Sequence, residues 1–208
     1  MECSWRFGIP YTGCSLEDAE VKFPSLLVLV MLSTAAVAGA EAHRINTEKA
    51  VMTVRVYKAG LLSAFVHDHE ISAPIASGTV DAAARQVDLR VNAKALRLQD
   101  SKGSDKEHEQ IQSTMLGPQV LDADRYAEIT FRSTRVDAGG ASAWVVHGEL
   151  GLHGQTHPVE VQVKEAGGRY TGSCTFKQSD FGIKPVKVAG GTVRVKDEVR
   201  IEFDIPLL

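Results

Sequence analysis

Apolar and polar residues alternate along much of the chain, and this period of two is typical of β-strands that bury one face. The alternation is clearest over residues 124–163, where Ile129 and Phe131 share one parity with polar residues between them. Two short breaks, at residues 137–140 and 154–156, divide this stretch into three runs. Strands separated by such short breaks pair with their neighbours. We therefore predict three strands joined by short turns, an antiparallel meander.

The same alternation predicts further strands on both sides of the meander. They cover residues 50–57, 61–71, 76–81 and 87–98 before it, and residues 169–177, 192–196 and 198–205 after it. We predict that the last two form a closing hairpin that turns at Asp197, a residue type common in turns.

One polar stretch, residues 100–123, lacks the period of two and predicts a helix. Ser104 and Glu107 have the spacing of a capping box, in which each side chain accepts a hydrogen bond from the other residue's backbone N–H. Gly117-Pro118 is a helix stop, because proline cannot continue the backbone hydrogen bonding. We predict a helix over residues 105–116 that lies across one end of the β-structure.

Eight or more short strands and one helix indicate an all-β domain, either a sandwich or an antiparallel up-and-down barrel. A closed barrel is favoured because closure leaves no unpaired strand edge. The chain of 208 residues is long enough for one such domain. We assign this domain to residues 43–208, with one short helix near the barrel mouth.

Residues 21–42 have the composition of a secretory signal peptide. An apolar run, 26–37, is followed by small residues in an A-x-A pattern, which favours cleavage after Ala42 over Ala40. The run is too short to span a bilayer as a helix. We therefore predict a protein that does not span the membrane and is exported, most simply to a bacterial periplasm.

Residues 1–20 are mixed and acidic, unlike the basic start of a signal peptide. One interpretation is a gene-start extension, with translation beginning at Val21 from a non-AUG codon. The other is a genuine, unusually long leader. The N-terminal peptide of the precursor distinguishes the two.

Charge and cysteine content narrow the function further. Residues 1–42 hold two of the 23 basic and five of the 26 acidic side chains, so residues 43–208 hold 21 of each and have no net charge. This balance argues against nucleic acid as a partner.

Cys174 is the single cysteine left in the domain, so no intrachain disulfide can form, and its strand position predicts a buried, inert thiol. Lys184, Lys187, Arg194 and Lys196 form a modest basic run, which we interpret as a solvated face or a contact for an acidic partner or head group.

Three segments resemble the YceI-like family of exported bacterial proteins: residues 124–136, 148–159 and 179–183. The similarity extends from about Ile45 to the C-terminus. The resemblance implies a lipocalin-like barrel that holds an isoprenoid-like or other amphiphilic lipid in its lumen for storage or transport. It also implies a functional link to a b-type membrane cytochrome. Pairing of two barrels into a homodimer is left open.

A ligand in the lumen would contact the side chains on the apolar face of the predicted strands. The candidate lumen residues are Val54, Val56, Leu61, Phe65, Val80, Leu89, Ile129, Phe131, Leu150, Leu152, Phe176 and Ile201. The alternative is that these residues are core and that the barrel is filled, which would make the protein an inert scaffold. Ile111, Met115 and Leu116 of the helix would either seal the mouth or pack on the barrel.

A metal site is the competing hypothesis. His67 and His69 lie two apart, so on a strand both imidazoles point to one face and could share a Zn or Cu ion. The third ligand would come from His108, His153 or His157. The protein would then be a periplasmic metal- or haem-associated accessory protein.

Motifs of the common enzyme classes are missing from the sequence. It contains no Gly-x-Ser-x-Gly elbow, no phosphate-binding loop, no Gly-x-Gly-x-x-Gly and no His-Glu-x-x-His. We therefore expect a binding protein and not an enzyme.

Overall fold

The computed structural model describes residues 42–59, 68–188 and 193–208. In this part of the chain, twelve strands form one antiparallel sheet, with one α-helix between the sixth and seventh strands. The strands are β1 His43–Arg44, β2 Val51–Ala59, β3 His69–Ser72, β4 Ile75–Asp81, β5 Gln86–Asn92, β6 Arg97–Leu98, β7 Glu128–Gly140, β8 Ala143–Leu152, β9 Gln155–Ala166, β10 Arg169–Lys177, β11 Lys187–Val188 and β12 Val193–Pro206, and the helix is α1 Asp105–Leu116. Short 3-10 helices cover Ala93–Ala95 and Gln178–Phe181.

The sheet curls into a barrel because one extended segment joins its two sides. β3 pairs with β2, and after Ala73-Pro74 the same segment continues as β4, which pairs with β5. Proline lacks an N–H group, so the ladder is interrupted where the chain changes partner. The circuit then runs through β7, β8, β9, β10 and β12 back to β2. Counting β3 and β4 as one kinked strand gives eight around the barrel, which confirms the predicted architecture.

The predicted meander is β7, β8 and β9, but its turns are tighter than expected. β7 continues to Gly140, which pairs with Ala143, so the first turn contains only two residues. The second turn is His153-Gly154, whose φ values of 52° and 72° are both positive. This is the geometry of type I′ turns, whose twist matches that of the paired strands. Two-residue turns therefore replace the longer breaks predicted from composition.

The closing hairpin predicted at Asp197 is wrong, because β12 is one continuous strand. It pairs with β2 through Arg194 and Val195, and again from Val199 onward. A register shift between these two parts accommodates the polar residues that interrupt the alternation of apolar and polar positions. The Asp197 carboxylate accepts hydrogen bonds from the Ser179 N–H and hydroxyl at 2.9 and 2.6 Å, so it stabilises a neighbouring loop and makes no turn.

The strand predicted over residues 87–98 also differs in the structure, because β5 ends at Asn92. The Asn92 side chain accepts a hydrogen bond from the Lys94 N–H and caps the 3-10 helix that follows. This local hydrogen bond competes with the ladder, as is common for asparagine. Residues 60–67, which include most of the strand predicted over residues 61–71, lie outside the described residues.

The helix has the predicted limits and is attached to the end of the sheet. Ser104 and Glu107 form the capping box in both directions. The Gln112 amide accepts a hydrogen bond from the Leu98 N–H and donates one to the Leu96 carbonyl, each at 2.8 Å. Met115 is buried in the largest apolar cluster. These contacts hold α1 over one end of the barrel, which we call the helix end.

Candidate functional site

Two cavities lie inside the part of the barrel that the structure describes. The larger, of about 480 Å³, lies at the helix end and is lined by strand residues, by Ile111 and Met115 of α1, and by Ile183 and Val186 of a later loop. We call it the helix-end cavity. The smaller, of about 220 Å³, is lined almost wholly by strands and is called here the far cavity. The side chains of the described residues thus leave space inside the barrel.

The two cavities share three lining residues, Ile129, Leu150 and Ile201. These residues belong to β7, β8 and β12 and lie where the two cavities adjoin, and we call them the belt. Because both cavities contact the same belt, a flexible chain could occupy both if the belt side chains moved slightly. The belt therefore decides whether the lumen acts as one compartment or two.

The structure places ten of the twelve predicted lumen residues against a cavity. Those that line the helix-end cavity are Val54, Val56, Ile129, Leu150, Leu152, Phe176 and Ile201, and those that line the far cavity are Val80, Leu89, Ile129, Phe131, Leu150 and Ile201. Leu61 and Phe65 lie outside the described residues. Contact between these side chains and a ligand stays a prediction.

Other lining residues were not predicted from the sequence. Three of them, Val161, Val163 and Phe203, lie on the apolar face of their strands and line the far cavity. The alternation of apolar and polar residues in the sequence was therefore sufficient to identify them. Val120 and Ile183 line the helix-end cavity from segments without strand periodicity. Nothing in the local pattern identifies these two, because they reach the cavity only through the packing of loops on the barrel.

Two phenylalanine rings lie flat against the lumen wall where the neighbouring strand carries glycine. A Cβ atom on Gly172 would come within 2.6 Å of the Phe203 ring, and one on Gly148 within 2.5 Å of the Phe131 ring. Both rings line the far cavity. A larger residue at either glycine would push the ring toward the cavity, so these glycines help keep the lumen open.

Polar groups are concentrated in one part of the helix-end cavity. His69 and Lys58 line it together with Glu107 and His108 of α1. The His69 Nδ1–H donates to Asp100 Oδ2 at 2.5 Å, and Asp100 Oδ1 accepts from the Glu70 N–H at 2.9 Å. The Asp100 side chain is only 1% exposed, so this buried carboxylate orients the imidazole of His69.

Lys58 has an altered acidity in this environment. Burial lowers the pKa of its ammonium group, and the carboxylates of Asp100 and Asp68 partly oppose this effect. The Lys58 backbone N–H also donates to Asp68 Oδ1 at 3.0 Å. The lumen is therefore apolar over most of its wall, with Lys58 and His69 at the helix end and Asp81, Arg85 and Gln86 among the residues that line the far cavity.

The predicted metal site is only partly described. His67 lies outside the described residues, and within the described ones no group of three or more His, Cys, Asp or Glu side chains is arranged to hold a metal ion. Of the proposed third ligands, His108 lines the same cavity as His69. His153 Nδ1–H donates to the Phe181 carbonyl at 3.1 Å, and His157 packs edge-on against the Phe181 ring. The pair His67 and His69 stays a prediction.

Cys174 is buried, as predicted, and its side chain lines the far cavity. Burial raises the pKa of the thiol to about 11, and the nearby Glu160 carboxylate adds to the shift. Because the thiolate is the reactive form, the native protein should hold this cysteine in an unreactive state at neutral pH.

This acidity predicts slow alkylation of Cys174. In a chain with Cys3→Ser and Cys14→Ser, N-ethylmaleimide should react at pH 7 about a hundredfold more slowly with native than with unfolded protein. The rate should rise as the pH approaches 11. The thiol keeps its proton to a higher pH in the folded than in the unfolded state. This thiol should therefore also make folding less favourable as the pH rises from the unfolded pKa toward 11. Equal native and unfolded rates at pH 7 would contradict the assignment.

Comparison with known proteins agrees with the fold. A family model described as a YceI-like domain matches residues 44–207. A UPF0312 protein of Shewanella oneidensis is 26% identical over 174 residues, which cover 78% of this chain and 86% of the relative. A UPF0312 protein of Shewanella baltica is 30% identical over 112 residues, covering 49% of this chain and 56% of the relative. The crystal structure of Burkholderia cenocepacia BcnA matches with a TM-score of 0.54 and 20% identity, covering 77% of this chain and 98% of that one.

An antiparallel barrel with a helix at one end defines a lipocalin-like barrel fold. The chain belongs to the YceI-like family. This family is known as a polyisoprenoid-binding β-barrel fold and is not an enzyme family. Among the described residues, no helix is both long and apolar enough to cross a membrane.

Proposed function

We propose that this protein binds an amphiphilic, isoprenoid-like lipid in the barrel lumen and stores or transports it. The observation that carries the proposal is the division of the lumen. Its walls are mostly apolar, while Lys58, His69 and His108 line the helix-end cavity together. An amphiphile has the same division, with an apolar tail and a polar head.

The orientation of the ligand follows from this division. The tail would lie along the strands and pass the belt of Ile129, Leu150 and Ile201 toward the far cavity. The head would lie near His69, whose ring is oriented by Asp100. The helix-end cavity alone, at about 480 Å³, falls within the range of roughly 300–1,000 Å³ typical of small-molecule sites.

The cellular setting is part of the same proposal. The composition of residues 21–42 supports export by a cleaved signal peptide, and hence a periplasmic carrier. A carrier that moves between membranes must shield an apolar tail from water, and an apolar lumen serves this purpose. A link to a b-type membrane cytochrome and a homodimeric state are compatible proposals that need their own tests.

Native mass spectrometry of protein purified from a bacterial periplasm tests the proposal. We expect a discrete adduct of a few hundred daltons that extracts into organic solvent, on a chain that begins at His43. Elemental analysis of the same sample tests the metal alternative, in which one bound Zn or Cu ion disappears in the His67→Ala, His69→Ala double variant. Protein that carries no organic adduct would contradict the lipid proposal, and a mature chain that begins elsewhere would contradict only the cleavage site.

A further inference from the structure

A groove on the surface at the helix end carries a concentration of positive charge. Its cationic side chains are Lys177, Lys184, Lys187, Arg194 and Lys196, and we call it the basic groove. It shares Val186, Arg194 and Val195 with the helix-end cavity. The groove therefore adjoins the part of the lumen where the polar groups are collected.

The positive charges of the groove are only partly balanced by neighbouring carboxylates, and none of them is held in an ion pair among the described residues. Within the described residues, none of the five cations forms an ion pair, whereas seven cations elsewhere on the barrel do. Those seven are Arg55, Arg90, Lys94, Arg132, Arg135, Arg169 and Arg200. Residues 60–67 and 189–192 contain no Asp or Glu and supply no further carboxylate.

Two carboxylates, Asp197 and Glu198, also border the groove. The Asp197 carboxylate accepts two hydrogen bonds from the neutral Ser179 and keeps its charge, so the groove has five cations against two carboxylates. The local excess of positive charge stands out because residues 43–208 contain equal numbers of basic and acidic side chains. Such an excess on a neutral domain forms a directional field that orients the molecule toward an anionic partner.

We propose that the basic groove docks the helix end of the barrel on an anionic lipid bilayer. Four of the five cations are lysines, which act as flexible point charges and do not form the rigid two-point contacts of arginine. Point charges on an open groove suit the diffuse negative potential of a membrane surface, where each contributes independently. The docking needs only these charges. Transfer of a lipid between the bilayer and the adjoining cavity rests in addition on the proposed function.

Co-sedimentation with vesicles tests the docking. Protein purified from a bacterial periplasm is mixed with vesicles of phosphatidylcholine, with or without phosphatidylglycerol. We expect binding only when phosphatidylglycerol is present, and weaker binding as salt is raised. In the Lys184→Glu, Lys187→Glu variant the apparent partition coefficient should fall about 30-fold or more, because each lysine near an anionic surface strengthens binding roughly fivefold.

A matched variant, Lys49→Glu with Lys164→Glu, changes the net charge by the same amount at the opposite end of the barrel. Lys49 precedes β2, whose other end pairs with Arg194, and Lys164 lies near the end of β9 that is remote from His153 of the groove. Both lysines are exposed. This variant should bind vesicles almost as well as the unaltered protein. Equal losses in the two double variants, or binding that ignores phosphatidylglycerol, would overturn the proposal.

The Ile201→Trp variant separates docking from cargo binding. Ile201 belongs to the belt inside the lumen and does not line the basic groove. We expect it to lose the extractable lipid and to keep its binding to phosphatidylglycerol vesicles. Loss of vesicle binding in this folded variant would mean that docking depends on cargo and not on the groove.

Discussion

Replacing Leu152 with arginine is expected to empty the barrel of its ligand. Leu152 is 7% exposed and lines the helix-end cavity. A guanidinium there would leave water for a mostly apolar wall, and a buried charge that finds no partner costs about 3–5 kcal/mol. The charge would draw water into the cavity and exclude an apolar tail. Native mass spectrometry should show no organic adduct on the variant. Phe131→Arg should do the same from the far cavity.

A buried arginine could also unfold the protein, so a neutral variant is needed. Ile201→Trp enlarges a side chain at the belt shared by both cavities. It fills the lumen without introducing charge and should remove the adduct while the far-ultraviolet circular dichroism and the cooperative thermal unfolding stay native. The control is Gln162→Arg, which adds the same charge as Leu152→Arg at an exposed position of β9. Full ligand retention by folded Ile201→Trp protein would refute the lumen assignment.

The second large effect is expected from Gly172→Ala on β10. The added Cβ atom would overlap the backbone carbonyl of Gln162 on the paired strand β9, as well as the Phe203 ring. A backbone oxygen within a ladder cannot move aside, so the β9–β10 pairing would have to separate locally. Overpacking of this kind costs typically 1–3 kcal/mol, and occasionally more. For a domain of this size, such a loss lowers Tm by roughly 2–12 °C.

Thermal unfolding measures this effect, and Gly139→Ala is the matched control. Gly139 lies near the exposed end of β7, where a Cβ atom would make only ordinary contacts of 3.5 Å. Its φ is not positive, so alanine introduces no backbone strain. We expect the control to change the free energy of unfolding by less than about 0.5 kcal/mol. Similar losses at the two glycines would argue that β-strand glycines here act through chain flexibility and not through close packing.

Local patterns in the sequence were sufficient for the elements whose cause is itself local. The helix limits follow from the capping box of Ser104 and Glu107 and from Gly117-Pro118, all within one or two turns of the helix. The barrel follows from period-two alternation, since strands with one apolar face must bury that face together. The apolar parity also placed ten predicted residues on the lumen wall, because side-chain direction in a strand depends only on position.

Local patterns failed where a distant partner decided the outcome. Asp197 is of a residue type common in turns, but its carboxylate accepts a hydrogen bond from Ser179, eighteen residues away. The pairing of β12 with β2 on both sides of Asp197 keeps the strand continuous there. The turns of the meander were predicted too long, because pairing of the flanking strands extends into residues that have weak strand propensity.

The sequence by itself thus determined the all-β class, the helix and the inward parity of the strands, because each depends on spacing along the chain. Only the tertiary structure decided the chemistry of the site. It brings Asp100 to His69 across 31 positions, packs Ile183 and α1 over the mouth, and gathers Lys177, Lys184 and Arg194 into one groove. These neighbours come from separate elements, and their proximity arises from closure of the barrel, which no local sequence pattern records.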